Sequence, residues 1–371
     1  MERTTEITYP ITETESSNDN HKRDGDFQEH NSGVAKKQRA ETTLKSSSTT
    51  DNTVDKMVRR DSDLCKVSEE ESKLNGCLEE GKQNMLETKE FKIDADAAED
   101  KGSRHTMEDA WVVLPDASLD SPGTLRCAHF AIYDGHGGRL AAEYAQKHLH
   151  TNVLSAGLPR ELKDVKAAKK AILDGFRRTD ESLLNKSAAG GWQDGATAVC
   201  VWVLGQTVFI ANIGDAKAVL ARSSEAGGSQ NDPDCRSTLK AIVLTREHKA
   251  IYPQERARIQ KAGGIVSSNG RLQGRLEVSR AFGDRQFKKV GVVATPDIHS
   301  FDLTDREHFI ILGCDGLWGV FGPNDAVEFV QRLLKEGLTA TAVSRRLIRE
   351  AVIERRCKDN CTAIVIVFKH R

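Results

Sequence analysis

Apolar residues are spread along this chain in two different ways. Only about 20 of the first 90 residues are apolar, too few to offset the entropy of ordering a chain, so residues 1–90 are expected to be a disordered tail. From Phe91 onward, apolar residues gather into short β-rich runs at 127–133, 197–204, 207–213, 216–221, 241–244, 308–314 and 361–368, mostly bounded by Gly, Asp or Asn. These runs predict strands. Helical periodicity between them predicts helices over about 138–150, 164–186, 253–262, 323–336 and 339–355, with Gly263-Gly264 stopping the third and Pro323 opening the fourth. Strands thus come in runs and helices in pairs. The runs 207–213 and 216–221 are separated by Gly214-Asp215, which reads as a hairpin, whereas a doubly wound parallel sheet would alternate strand and helix strictly. The expected architecture is α+β, an antiparallel sheet arrangement with helices packed on sheet faces.

Composition sharpens the division at residue 91. The 371 residues carry 54 Lys plus Arg and 55 Asp plus Glu, a net charge of −1, so no basic surplus announces a nucleic-acid partner. Residues 1–90 hold 14 basic and 20 acidic residues, against 40 and 35 for residues 91–371. Of the 20 aromatics only Tyr9 and Phe27 precede Phe91, while all four Trp follow it, which suits one large core over 91–371. The longest apolar stretches, 197–204 and 361–368, fall far short of the roughly 20 residues a membrane span needs, and the polar amino terminus has no secretory hydrophobic region. Neither membrane insertion nor secretion is expected, and monomer is the default state.

Eight cysteines form no CxxC pair, and several lie within apolar runs where a thiol acts as a small hydrophobe. Reduced thiols imply cytoplasm or nucleus, and Lys36-Lys37-Gln38-Arg39 is a short basic cluster of the nuclear-import kind. The Ser/Thr run at 46–50 and the acidic 69–71 patch read as solvated linker. The polar stretch 223–238 reads as a surface insertion between two strands.

Candidate chemistry lies at the strand ends. Asp134, Asp215 and Asp315 each follow an apolar run and Asp359 immediately precedes one. Any one of them suits a turn, since Asp-Gly at 134–135 and 315–316 is a favoured turn dipeptide. Several together, from distant parts of one fold, repel unless a cation neutralises them, and oxygen-only clusters suit Mg²⁺ or Mn²⁺. Asp134-Gly135-His136-Gly137-Gly138 places a carboxylate, a free carbonyl and an imidazole on a turn-permissive segment. His136 is open to two readings, a structural hydrogen-bonding group or a general acid beside a metal site. Arg104 precedes the adjacent carboxylates Glu108 and Asp109, and its guanidinium fork matches a phosphate, though a surface charge run is the simpler alternative.

The order of motifs adds a resemblance. Arg104 with Glu108-Asp109, DGHGG at 134–138, DGATA at 194–198, NIGDAKAVL at 212–220, LTREH at 244–248, ERARIQKAGG at 255–264, VSRAFGD at 278–284, TPDI at 295–298, CDGLWGV at 314–320 and KDNCTAIVI at 358–366 follow the order found in the protein phosphatase type 2C family of metal-dependent serine/threonine phosphatases. RIQKAGG and GRLEVSRAFGD look most similar to the integrin-linked-kinase-associated branch and its plant relatives. The resemblance implies a four-layer α-β-β-α sandwich with two Mn²⁺ or Mg²⁺ ions at one end. It implies that Asp134 bridges both ions, the Gly135 carbonyl binds one, and Asp315 and Asp359 bind the other. Glu108 then acts through water, and Asp109 supports the ligands without touching metal. Arg104 would bind the substrate phosphate and His136 would protonate the leaving Ser or Thr oxygen. The implied reaction is attack by a metal-bridging hydroxide on phosphoserine or phosphothreonine in protein substrates, with no phosphoenzyme.

DGATA, SRAFGD and ERARIQKAGG read mainly as packing segments, with Arg280 and Asp284 expected to form a buried pair, and Trp192 and Trp318 as core or rim aromatics. Three departures from the family pattern stand out. Gly319 stands where many relatives carry an acid that helps Asp215 hold a third metal, so a third ion is doubtful and Asp215 is equally a turn residue. The 223–238 insertion has no assigned role. Arg275 and Glu277 put charge near the site without an obvious purpose. Two other functions compete: a catalytically weak phosphoprotein-binding scaffold of the same fold, and a phosphatase of the haloacid-dehalogenase type. The second would need a DxD motif ending an early parallel strand, and Asp94-x-Asp96 follows no such strand.

Overall fold

The computed structural model describes residues 91–117, 126–158, 164–223 and 239–370. The expected tail over 1–90 with its Lys36-Lys37-Gln38-Arg39 cluster, and the expected insertion apart from Ser223, lie outside the described residues.

Two five-stranded antiparallel sheets form the centre. The first contains, in spatial order, β1 (Phe91–Asp100), β13 (Cys361–His370), β12 (Glu307–Gly313), β8 (Lys217–Ser223) and β9 (Leu239–Val243). The second contains β11 (Asp297–Asp302), β7 (Thr207–Ile213), β6 (Ala198–Leu204), β3 (Cys127–Tyr133) and β2 (Ala110–Leu114). A small third sheet joins β10 (Phe282–Gly283), β5 (Gly195–Ala196) and β4 (Gly135–His136).

The central strands are apolar on both faces because both faces are covered. In β6, Val199, Val201 and Val203 point into the space between the sheets, while Ala198, Cys200, Trp202 and Leu204 point outward onto a helix pair. That pair is α1 (Leu140–Ser155) and α2 (Val165–Gly190). The same two-residue period divides β13: Ile364, Ile366 and Phe368 face the other sheet, while Ala363, Val365 and Val367 face a second helix pair. These helices are α6 (Pro323–Lys335) and α7 (Ala340–Arg349). The layers are therefore helices, sheet, sheet, helices, the α+β sandwich the motifs implied. Trp318 is buried in the second helix-facing cluster and Trp192 packs half-buried on the first.

Three features differ from the sequence reading. Strands β1 and β11 carry too many polar residues to announce themselves, and β2, apolar throughout, is only five residues long; along β1 only Phe91 and Ala97 are buried, and Asp94 accepts a hydrogen bond from Lys369 on β13. Asp94 and Asp96 therefore lie inside an antiparallel edge strand, not after a parallel one. The expected helix 339–355 is α-helical only to Arg349 and passes into a π-helical turn over Glu350–Glu354. The most consequential difference concerns Gly214-Asp215. It is not a hairpin turn: β7 belongs to one sheet and β8 to the other, so this link crosses the sandwich. Gly214 has φ 89°, and a Cβ there would lie 2.4 Å from Thr197, so the crossover admits no side chain at that point.

Beside this core, α3 (Pro253–Lys261), the bends of 264–281 and α4 (Arg285–Lys288) enclose a smaller apolar cluster around Ile259, Leu272, Val278 and Phe287.

Candidate functional site

Antiparallel pairing brings the ends of β1, β3 and β12 and the beginnings of β2, β8 and β13 to the same end of the sandwich. Asp134 follows β3, Asp215 precedes β8, Asp315 follows β12 and opens the short α5 (Asp315–Trp318), and Asp359 precedes β13. One carboxylate oxygen from each of Asp134, Asp215 and Asp315 lies within 4.8 Å of the other two. Asp359, Glu108, Gly135, His136 and Arg104 line the same cavity of about 530 Å³. The residues that the sequence singled out from segments up to about 250 positions apart are thus brought to one site.

The electrostatics express the crowding. Desolvation, then the charges of Asp109, Asp315 and Asp215, push the Asp134 carboxyl well above the usual carboxylate range. Asp315 is pushed up to about 7 by desolvation and by Asp215, Asp359 and Asp109. Asp109 rises to about 6, mainly from burial, although Thr362 Oγ1 donates to it at 2.6 Å. Protein donors satisfy few of these oxygens: among the described residues, Asp134 Oδ2 meets only the long contact from the Asp315 amide at 3.5 Å. An oxygen-only, mutually repelling set with unspent lone pairs fits hard divalent cations, and Asp134, Asp315, Asp359 and the Gly135 carbonyl could hold them.

Around this set, Glu108 accepts from the Gly138 amide at 3.2 Å and from Thr106 Oγ1 at 3.2 Å. Arg104 Nη2 lies 2.6 Å from Asp359 Oδ2, with 61% of its side chain exposed. His136 Nε2 meets Asp284 Oδ2 at 2.7 Å. Burial works against an imidazolium here, but the hydrogen bond and charge of Asp284, with Asp215 and Glu108, outweigh it and raise the His136 pKa. The pair rests directly on Gly195, where a Cβ would come within 2.2 Å of His136 Nε2 and 2.4 Å of Asp284 Oδ2. The DGATA glycine is therefore a requirement of the His–Asp pair.

That pairing corrects one expectation. Arg280 does not pair with Asp284: its guanidinium binds Glu255 Oε1 at 2.8 Å and Asp297 Oδ1 at 2.7 Å. The two residues are separated by β10, which carries Asp284 to the small sheet under His136 while Arg280 stays over α3. Glu255 also accepts from Arg258 at 2.7 Å and Ser279 Oγ at 2.6 Å, and these donors hold it at about 2 despite its burial.

Sequence reasoning missed three residues that build the site. Asn360 is buried; its Oδ1 accepts from the Glu108 amide at 2.8 Å, and its Nδ2 donates to the carbonyls of Lys101 and Thr106 at 3.0 and 2.9 Å. It ties the loop bearing Arg104 and Glu108 to the strand bearing Asp359. Thr362 holds Asp109. Lys249 Nζ lies 2.7 Å from Glu277 Oε1 and 3.4 Å from Asp215 Oδ2, which gives Glu277 a partner and Asp215 a fixed positive neighbour. Only Asn360 left a trace in the sequence, as an amide wedged between an acidic residue and an apolar run.

Comparison with known proteins agrees with this geometry. The model of the family "Protein phosphatase 2C" matches residues 93–361. The chain is 78% identical over 293 residues to "Probable protein phosphatase 2C 8" of Arabidopsis thaliana, covering 78% of this chain and 84% of that protein. It is 38% identical over 324 residues to the human "Integrin-linked kinase-associated serine/threonine phosphatase 2C", covering 82% of this chain and 80% of that protein. The fold resembles the crystal structure of serine-threonine phosphatase 2C from Toxoplasma gondii with a TM-score of 0.63 and 23% identity, over 75% of this chain and 95% of that one. Strand-end acids gathered at one end of a four-layer sandwich and a family match spanning nearly all of 91–371 lead to one conclusion: the chain belongs to the protein phosphatase 2C family and is a protein serine/threonine phosphatase.

Proposed function

We propose that this chain hydrolyses phosphoserine and phosphothreonine in protein substrates using two Mn²⁺ or Mg²⁺ ions held by Asp134, the Gly135 carbonyl, Asp315 and Asp359. The observation that carries the reading is the convergence of Asp134, Asp215 and Asp315 oxygens within 4.8 Å, in a cavity that also presents a guanidinium and a carboxylate-backed imidazole. Divalent ions in such a cluster supply an activated water nucleophile near neutral pH and screen the charge of the transferring phosphoryl group.

The protein's own groups do the rest. Arg104, exposed and paired only with Asp359, exchanges that partner for the phosphate oxygens, which its fork fits in bidentate fashion. Water attacks phosphorus, the bond from phosphorus to the Ser or Thr oxygen breaks, and His136 delivers its proton to that leaving oxygen. The pairing with Asp284 favours the protonated imidazole and orients it for this transfer. Glu108, anchored by the Gly138 amide, accepts hydrogen bonds from water at the cluster's edge, and Asp109 with Thr362 fixes the floor beneath Asp134. No side chain is asked to carry the phosphoryl group covalently. Asp215, with Lys249 beside it and Gly319 bare of any ligand, is balanced by an internal ammonium and does not need a third ion at ordinary metal concentrations.

The test is hydrolysis of p-nitrophenyl phosphate and of a phosphothreonine peptide with EDTA, Mg²⁺ or Mn²⁺, alongside Asp134→Ala and Asp315→Ala. Turnover is expected only with added metal and falls by about 10³-fold or more in both variants. A folded wild type with no turnover at any Mn²⁺ concentration would overturn the reading in favour of a binding scaffold.

A further inference from the structure

The cavity that holds the acidic cluster is also lined by Arg271, Arg275, Leu276, Glu277 and Val278, and the charges of this stretch are unevenly paired. Three arginines line the cavity. Arg104 is paired with Asp359, and Arg271 Nη2 is paired with Glu277 Oε2 at 2.8 Å. Arg275 meets no carboxylate among the described residues: its Nη2 donates to the neutral Gln286 Oε1 at 3.0 Å, and its guanidinium lies 5.0 Å from the centroid of the Phe287 ring. It is an exposed cation held in place by uncharged partners.

The backbone beneath it is held just as firmly. Gln273 and Gly274 both adopt left-handed conformations, φ 51° and 70°, a backbone that is strained for the non-glycine Gln273. The turn is fixed by the Gln273 amide donating to the Ile265 carbonyl at 2.8 Å and by Arg271 Nη1 donating to the Arg275 carbonyl at 2.9 Å. Arg271 thus spends its charge on Glu277 and its geometry on positioning Arg275. A strained, braced turn that presents an unneutralised guanidinium to a cavity whose acidic cluster repels anions has one evident use: to admit an anion that the cluster would otherwise turn away.

We propose that Arg275 is a specificity-determining residue that selects phosphoprotein segments bearing a second anionic side chain, a carboxylate or another phosphate monoester, close to the phosphoserine or phosphothreonine being hydrolysed. The inference rests on the phosphoprotein phosphatase reading given above. Arg275 and the cluster border one cavity of about 530 Å³, so the second anion belongs within a few residues of the first. Because Arg275 is exposed, the preference it confers is moderate and weakens with salt.

The experiment uses the full chain with Mn²⁺ and one phosphothreonine peptide in which Ala, Glu or a second phosphoserine occupies each of the three positions on either side. Wild type is expected to favour the best anionic peptide over the all-Ala reference by about three- to tenfold in kcat/KM, mostly through KM. The ratio should fall to within about twofold in Arg275→Ala, stay intermediate in Arg275→Lys, and turn in favour of a Lys-containing peptide in Arg275→Glu, a reversal that only a folded protein can give. Which arm responds, Glu or phosphoserine, identifies the source of the anion. An unchanged ratio in Arg275→Ala, or no anionic preference in wild type, overturns the proposal while leaving the phosphatase reading intact. Hydrolysis of p-nitrophenyl phosphate with none of the phosphopeptides cleaved would instead overturn the phosphoprotein reading, and this inference with it.

Discussion

The acidic end of the sandwich and the network over α3 contain similar side chains and treat them in opposite ways. Over α3, the buried carboxylates have cations: Glu255 is held by Arg258 and Arg280, and Asp297 by Arg280, with His248 as a further hydrogen-bond partner. Glu255 is consequently held at about 2 and Asp297 below its usual range, even though burial opposes both. At the strand ends, carboxylates face each other, and Asp109 and Asp315 rise to about 6 and about 7. The difference teaches that acidic density alone does not mark a site. What marks it is acid with no protein cation of its own among the described residues, as at Asp134 and Asp315, since a network that neutralises itself has nothing left to offer a ligand.

Breaking the self-neutralised side should have the largest effect on folding. Glu255→Gln leaves Arg280 and Arg258 without their shared carboxylate in a buried setting, and is expected to lower unfolding free energy by about 3 kcal/mol in urea titrations. Asp134→Asn is expected to do the reverse in metal-free protein at pH 8, raising stability because it removes a repelled charge. A second, slightly smaller effect separates chemistry from scaffold on the acidic side. His136→Ala should lower kcat on a phosphothreonine peptide by roughly 10²-fold but affect p-nitrophenyl phosphate much less, because nitrophenolate leaves without a proton. Equal losses on both substrates would deny His136 its role as the acid.

The two regions should also bend the stability profile in opposite directions. Groups whose pKa is raised on folding bind more protons in the native state, so metal-free protein should lose about 2 kcal/mol as pH rises from 6 to 8, mostly through Asp315, whose value is about 7, and less through Asp109 at about 6. Glu255 has a lowered pKa, so its contribution is complete above its ordinary value of 4.5 and is lost as pH falls toward about 2. Saturating Mn²⁺ should flatten the alkaline limb and leave the acid limb alone, which thermal melts with and without EDTA would check. The smallest effect concerns Gly319. It has φ −71° in an ordinary helical conformation, with a Cβ site 3.1 Å from the Asp315 carbonyl, so Gly319→Asp should fold with a cost below about 1 kcal/mol. Calorimetric titration should then count one more weak Mn²⁺ site than in wild type.

Much of this organisation was legible in the sequence because the signals are local. Runs such as 197–204 and 361–368 are apolar on both faces and read as covered strands, and a carboxylate directly after or before such a run must lie at a sheet end. β1 gave no such signal: it is held in place by ten cross-strand partners on β13, a long-range fact that its four acids conceal. The same blindness produced the Gly214-Asp215 hairpin, since two residues between strands look alike whether the chain turns back or crosses to another sheet. Arg280 was placed in a charged pair with the wrong acid, because which of Glu255, Asp284 and Asp297 it meets depends on where β10 carries the chain. Asn360 and Lys249 act through contacts more than 25 residues away, or across a turn that no periodicity marks.

The ligands at the acidic end come from both sheets: Asp134 from the end of β3 in one, Asp315 and Asp359 from β12 and β13 in the other. The methyl groups of Ile132, Ile310, Leu312 and Ile364, packed between the sheets, therefore act as a spacer that sets the separation of the acids contributed by the two sheets. Because close-packed interiors transmit changes of a single methylene, trimming one of these side chains is expected to shift the spacing of the strand-end carboxylates, and under the proposed two-ion reading the affinity for metal, with every acid untouched. Drift in the hydrophobic interior is thus a route by which members of one fold acquire different metal appetites.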